Sequence, residues 1–343
     1  MAVALFGTPS VFFGLCVHLV NGLLTQAFGS CKTVKVASRA ELQSPVAETF
    51  LLHHDTPEPE LIESLVGQRI PLIVFLSSLE TSIHEGMNFW GMPFHLALRQ
   101  TTLSLSALEE AVTVPDVFVI RSYGRRRIVV QILLAKICKF LGIDPLKINI
   151  DQLTKSANLK QADDGNIYLE DQLQSAKTLA RCTSAEKADP AYPHDLLASL
   201  KGYNSILDLK PASAIRWIGK TFSTEANEPA GPGQKVNLLG PARVLFYGPY
   251  AGLPKGRWSA RITFSVFNNF SGNEIILDIS QNYAQDMLVK GESKLPTSGT
   301  YTCDMPFNVT KPHLPIEIRL LTTQGAIEGE IEFLGVDLKR LSS

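Results

Sequence analysis

The stretch that most constrains this chain runs from Val3 to Asn21. Val3 to Phe6 is an unbroken apolar run of strand length, Gly7-Thr8-Pro9-Ser10 interrupts it, and apolar residues resume from Val11 over helical length. A strand that is apolar on both faces must be covered on both, and the economical cover is a helix returning over the sheet, so the pattern opens a parallel α/β layer. In that arrangement the backbone amides around Thr8 lie at a helix N-terminus, where they are expected to face a hollow able to receive an anion.

The residues that follow repeat the alternation. Thr33 to Ala37 and Thr49 to Leu52 read as short strands, the second leading into His53-His54-Asp55-Thr56-Pro57, and Pro59 to Val66 reads as a helix. Ile70 to Leu76 is a second doubly buried strand, Ser77 to Gly86 opens a helix, and Ser104 to Ala111 is a further helix with Ser104 or Ser106 as N-cap. Asp116 to Ile120 is the next strand. Ile128 to Leu141 is a helix by the spacing of Ile128, Ile132, Ala135 and Phe140, stopped at Gly142. Asp144 to Arg181 turns polar and is expected to be a surface excursion, followed by helices over His194 to Tyr203 and Ala212 to Lys220. The expected first domain, residues 1–220, is therefore a mostly parallel sheet covered by helices.

Thr221 to Gly240 is rich in Pro, Gly and polar residues and reads as a linker. Beyond it the period changes from helical to alternating. Val244 to Phe246, Gly256 to Val266, Glu274 to Ile279, Gly299 to Asn308, Ile316 to Leu321 and Gly329 to Leu338 are strands separated by turn residues, the pattern of an all-β sandwich over 241–343. Alternation in the second of these puts Trp258, Ala260, Ile262 and Phe264 on one face.

Composition narrows the function classes. With 343 residues and a net charge of −1, the chain has material for two cores and no general electrostatic attraction to nucleic acid, Arg125-Arg126-Arg127 being its one basic run. The five cysteines form no C-x-x-C pair, which predicts neither a zinc framework nor a disulfide scaffold and suits a reducing, cytoplasmic setting. The uncharged N-terminus lacks the basic opening of a secretory signal, and Pro9, His18 and Asn21 interrupt its apolar run, so neither leader nor membrane span is expected. The sequons at Asn269 and Asn308 are then incidental. No metal-ligand spacing involves His84 or His95, and no metal is expected.

Two resemblances add to this reading. Phe6-Gly7-Thr8-Pro9-Ser10, the Leu52 to Pro57 segment, Ile73 to His84, Val117 to Tyr123 and Ile137-Cys138-Lys139-Phe140-Leu141-Gly142-Ile143 together resemble the sulfotransferase branch of the P-loop folds. The resemblance implies 3′-phosphoadenosine 5′-phosphosulfate as donor, held by Gly7, Thr8 and Ser10 and assisted by Ser82 and Arg121. It further implies His53 or His54 as the base toward a sugar hydroxyl. The sequence departs from that family at Val11-Phe12-Phe13, where a small basic continuation is usual, and at Leu76-Ser77-Ser78, where an arginine is usual. The second resemblance rests on Tyr247-Gly248-Pro249-Tyr250, Leu253 to Trp258 and Pro315 to Arg319. These are similar to a β-sandwich module appended to bacterial glycosyltransferases and surface-polysaccharide enzymes.

Three functions stay open on these grounds. One is a bacterial transferase that moves a sulfuryl or related group onto a saccharide. Another is a carbohydrate-binding or scaffold protein whose nucleotide site has decayed, and the third is a glycosyltransferase-associated protein. For the sandwich, Tyr250 and Tyr283 are the candidates to stack on a sugar ring, among aromatic residues that otherwise build a core.

Overall fold

The computed structural model describes residues 1–42, 48–122, 127–179, 194–226 and 228–342. Tyr123, Arg125, Arg126 and Cys182 lie outside the described residues. The chain divides into two compact units, one of Met1–Ala97 with Ala107–Pro190, the other of Leu98–Ser106 with Ala191–Ser343.

In the first unit, β1 (Ala2–Gly7) leads into α1 (Val11–Phe28), β2 (Lys32–Lys35), β3 (Phe50–His54), α2 (Pro59–Gly67), β4 (Leu72–Ser77) and α3 (Leu79–Trp90). Then come α4 (Phe94–Thr113), whose Leu98–Ser106 segment belongs to the second unit, β5 (Phe118–Ser122), α5 (Val130–Phe140), α6 (Ile150–Ser156) and α7 (Leu173–Leu179). The sheet order is β2-β3-β1-β4-β5, every pair parallel. The chain lays β2 at one edge, returns to place β3 beside β1, and then crosses to β4 and β5 on the other side, so the crevice at the carboxyl end of β1 is the topological switch point. The expected α/β layer is present.

Helix α1 is the one described helix with the length and apolarity of a membrane span. Its Val11, Leu15, Leu19, Val20 and Leu23 are fully or almost fully buried in the core of this unit, alongside Leu5, Ile73 and Phe75.

Three expectations for the helices and the polar stretch differ from the structure. Ser104 and Ser106 are not N-caps: α4 starts ten residues before Ser104, after Pro93, and both serines are buried within it. In α5 the buried face is Val130, Leu133, Leu134, Ile137 and Cys138, a stripe at i, i+3, i+4, i+7 and i+8, while Ile132 is 55% exposed. The polar stretch after Asp144 is not a surface excursion. Ile148, Leu153, Ile167, Leu169 and Ala176 join the core around α1, while Leu146 is exposed.

In the second unit, α8 (His194–Ser199) and α9 (Asn204–Leu207) precede β6 (Ala214–Ile218), β7 (Ser223–Thr224), β8 (Lys235–Asn237) and β9 (Val244–Ala251). Next are β10 (Gly256–Phe267), β11 (Glu274–Gln281), β12 (Asp286–Lys294), β13 (Gly299–Val309), β14 (Ile316–Thr322) and β15 (Glu330–Arg340). One sheet has the order β13-β10-β15-β6, with β8 also on β15, and the other β12-β11-β14-β9-β7. Trp258, Ala260, Ile262 and Phe264 face inward as the alternation predicts, each at most 5% exposed. Phe333 of β15 meets Phe246 of β9 at 5.4 Å and Phe222 at 4.6 Å, which seats one sheet on the other. Burying one such ring stabilises the fold by roughly 1.5–3 kcal/mol. The β-sandwich is therefore present.

Its N-terminal side differs from expectation. Ala212 to Lys220 is not a helix but contains β6, in which Ile215 and Trp217 are buried and their neighbours Ala214 and Arg216 are exposed, a period of two. Residues 221–240, expected as a linker, contain β7, paired with β9, and β8, paired with β15. The second unit takes in Leu98–Ser106 as well as the chain from Ala191 onward.

Candidate functional site

In the first unit, the turn after β1 brings Gly7, Thr8 and Ser10 together at the switch point. Thr8 is fully buried; its N–H donates to the Phe75 carbonyl at 3.0 Å, and its Oγ1 accepts the Ser77 N–H at 2.7 Å. It thus stitches β1 to β4. Ser10 caps α1, its Oγ accepting the Phe13 N–H at 3.0 Å. The Val11 N–H donates to Glu85 Oε2, from α3, at 2.8 Å. The amides of Thr8, Val11 and Phe13 are therefore committed to the chain's own acceptors.

The hollow is filled as well. A Cβ on Gly7 would stand 2.5 Å from the Phe13 ring and 2.9 Å from Cβ of Phe75, so the glycine leaves room for an aromatic side chain and not for a ligand. Burial pushes the Glu85 carboxyl up to about 7, against the opposing pull of the Val11 N–H and the Lys177 charge. This arrangement does not fit a 5′-phosphosulfate: a protein carboxylate stands at the helix N-terminus, and a benzene ring fills the space beside it. No step through 3′-phosphoadenosine 5′-phosphosulfate follows from it.

The other residues assigned by the sulfotransferase resemblance are scattered over β3, β5 and α3. His53 and His54 end β3, opposite Leu5 and Phe6 of β1. His54 Nδ1 accepts the Thr56 N–H at 2.9 Å, so the neutral ring carries its proton on Nε2 and its one lone-pair nitrogen is already engaged. Burial lowers the pKa of both histidines, assisted by Lys35, while Asp55 opposes it. Arg121 is exposed on the edge strand β5, two strands from β1 and thus about 10 Å across the sheet. Ser82 lies inside α3, 1% exposed, its hydroxyl without a hydrogen-bond partner. Chain topology brings the turn and the histidines to one edge; it does not gather a donor site.

The second unit does assemble a cluster. Tyr250 ends β9 and Tyr283 sits in the turn after β11, and both have left-handed backbones, at φ 59° and 55°. Bulky side chains rarely accept that region, and such strain, of order 1–3 kcal/mol per residue, collects at functional sites. Their ring centroids are 5.9 Å apart with planes tilted by 32°, and Tyr283 is 54% exposed. The Tyr250 hydroxyl donates to Glu317 Oε1 at 2.6 Å. The Arg99 guanidinium, from the Leu98–Ser106 segment, lies 4.7 Å from the Tyr250 ring centre and 5.5 Å from that of Tyr283. Beside Glu317 on β14, Arg319 forms a two-pronged pair with Asp278 at 2.9 and 2.8 Å.

Trp258 is no platform, being fully buried with its indole N–H on the Pro254 carbonyl. Phe270 is 72% exposed in the loop after β10. The structure brings together the two tyrosines named from the sequence and sets beside them Arg99 and Glu317, which were not named as site residues. Arg99 has no local motif, and Glu317, though inside the Pro315 to Arg319 stretch, has none that points to a ligand; they come from 151 residues before Tyr250 and 67 after it.

No family model and no curated protein matches the chain. Among solved structures it is similar to the C-terminal CBM6 of LamC, a laminarinase from Zobellia galactanivorans, with 12% identity over 37% of this chain and 99% of that one, at TM-score 0.25. It is similar to TmCBM61 in complex with β-1,4-galactotriose, with 15% identity over 31% of this chain and 69% of that one, at TM-score 0.24. A third is the CBM36-1 domain of a multidomain xylanase from the hindgut metagenome of Trinervitermes trinervoides, with 9% identity over 38% of this chain and 99% of that one, at TM-score 0.23.

Proposed function

We propose that this protein is a non-catalytic saccharide-binding protein, with its ligand site on the second unit at Tyr250 and Tyr283. The observation that carries this reading is the pair of neighbouring tyrosine rings, one of them half exposed, both held by left-handed backbone beside a charged rim. A sugar ring presents an apolar C–H face bordered by hydroxyls. It is matched by an exposed aromatic face bordered by fixed hydrogen-bonding groups, here Arg99 and Glu317. The first unit supplies no donor chemistry in this reading, because Glu85 and Phe13 take the places a nucleotide phosphate would need.

The test is titration of the full-length protein against a set of soluble plant and bacterial polysaccharides, by affinity electrophoresis and calorimetry. Wild type is expected to bind at least one, and Tyr283→Ala to lose at least tenfold in affinity without a change in melting temperature. Retention of full affinity by Tyr283→Ala overturns the assignment of the site. Binding of 3′-phosphoadenosine 5′-phosphate by wild type overturns the non-catalytic reading of the first unit.

A further inference from the structure

The rim of the tyrosine site carries an unspent cation. Arg99 has five N–H donors, and the protein uses one of them: Nη1 donates to the Tyr283 hydroxyl at 3.3 Å. Its Nε is buried and has no hydrogen-bond partner. Among the described residues no carboxylate lies within ion-pair distance of it, and the nearby acids are spent elsewhere, Glu317 on the Tyr250 hydroxyl and Asp278 on Arg319. A buried donor left unsatisfied is costly, and such groups in a folded protein call for an explanation.

The guanidinium is also fixed in place. Two aromatic faces hold it, at 4.7 and 5.5 Å, so its planar fork loses little freedom on accepting a ligand. A rigid, unpaired guanidinium is suited to a planar two-oxygen acceptor, and among sugars that acceptor is the carboxylate of a uronic acid.

We propose that the tyrosine site takes a carboxylated saccharide, with the uronate carboxylate on the Arg99 guanidinium and the sugar ring against Tyr283. This rests on the saccharide reading of the same site. The carboxylate supplies acceptors to guanidinium donors the fold leaves unused.

The experiment is calorimetric titration of the full-length protein with oligosaccharides of polygalacturonate, alginate and glucuronoxylan, each beside its carboxyl-reduced counterpart. Reduction converts the uronate to the neutral hexose and leaves the ring configuration intact. At least one acidic oligosaccharide is expected to bind tenfold or more tightly than its reduced form, and the difference should shrink between 50 and 500 mM salt, as roughly expected for a partly exposed pair. Arg99→Gln should abolish the preference while retaining the weaker neutral binding, and Arg99→Lys, which keeps the charge but not the fork, should fall between. Equal affinity for acidic and reduced forms overturns the inference and leaves the saccharide reading standing, as does a preference that survives Arg99→Gln. Binding of neither form, nor of any neutral polysaccharide, overturns both.

Discussion

The Glu85 carboxylate accepts the backbone N–H of Val11 at 2.8 Å, at the N-terminus of α1, where a helix can hold a bound anion. The chain thereby supplies its own anion to its own helix. That single bond separates the architecture of the first unit, which is an ordinary parallel layer, from the chemistry that such a layer often carries.

Replacing Glu85 by Gln should stabilise the protein at pH 8. Burial raises this carboxyl from its ordinary value to about 7. Between those limits the native state binds more protons than the unfolded chain, so stability falls as pH rises from about 4.5 to about 7 and levels off above. Glutamine keeps an oxygen for the Val11 N–H without the buried charge, and the gain is bounded at about 3 kcal/mol by the size of the shift. Urea unfolding of both proteins from pH 4.5 to 8.5 checks it: their difference should grow across that window in favour of the variant. A difference that grows in the other direction would mean that the helix N-terminus outweighs the burial.

Gly7 is held by an aromatic ring, so Gly7→Ala should destabilise the first unit. The added methyl would meet Phe13 ring carbons at 2.5 and 2.8 Å, and Cβ of Phe75, in the strand beside it, at 2.9 Å. Overpacking of this kind costs about 1–3 kcal/mol. Phe13→Ala alone leaves a cavity and costs about 3–5 kcal/mol. The double variant should cost less than the sum by at least about 1 kcal/mol, since each change relieves the other. Strict additivity in denaturant melts would show that Phe13 does not fill the hollow in solution.

Much of the fold could be read from residue pattern, and the reasons for the failures are physical. β1, β4 and α1 were legible because doubly buried strands and core helices carry long apolar runs. β10 was legible because one of its faces is dry and the other wet. β12, Asp286–Lys294, went unread because it is an edge strand with polar residues on much of its length, and Gly291 within it. β6 was taken for a helix since five residues, Ala214–Ile218, are too few to separate a period of two from one of 3.6. The turn at Gly7 was located correctly, but its occupant was not legible. Val11-Phe12-Phe13 signalled a departure, whereas Glu85 reaches the turn from 74 residues away. Tyr250 and Tyr283 were legible as aromatic residues beside turn chemistry, and Arg99 was not, because it sits mid-helix without any motif.

His53 and His54 should both titrate below the usual imidazole value of about 6.5. Burial is the leading cause for each; Lys35 pushes the same way in both, and Asp55 opposes it. Because the native rings bind protons less readily than the unfolded chain, their contribution to stability is present above the unfolded value and is lost as pH falls through the native one. Ring Cε1–H shifts followed by NMR from pH 4.5 to 8 give both midpoints directly. A midpoint above 6.5 for His54 would mean that Asp55, 3.4 Å away, governs it rather than burial.

Tyr203→Phe should destabilise the second unit by about 2 kcal/mol, although it removes a single oxygen. Tyr203 is fully buried, its hydroxyl donating to the Gly252 carbonyl at 2.5 Å and accepting the indole N–H of Trp217 at 3.3 Å. Phenylalanine would leave that carbonyl and that N–H without this partner in a dry interior, and the loss is the desolvation of both rather than the net worth of one hydrogen bond. The Gly252 N–H is anchored separately, on Thr102 Oγ1 at 3.1 Å, so the chain just after Tyr250 is held from both sides. Tyr203→Phe should therefore also loosen the Tyr250 turn, lowering saccharide affinity more than it lowers the melting temperature would imply. Equilibrium unfolding and ligand titration of the same variant separate the two effects, and an unchanged affinity would mean that the turn holds its own shape without the Tyr203 hydroxyl.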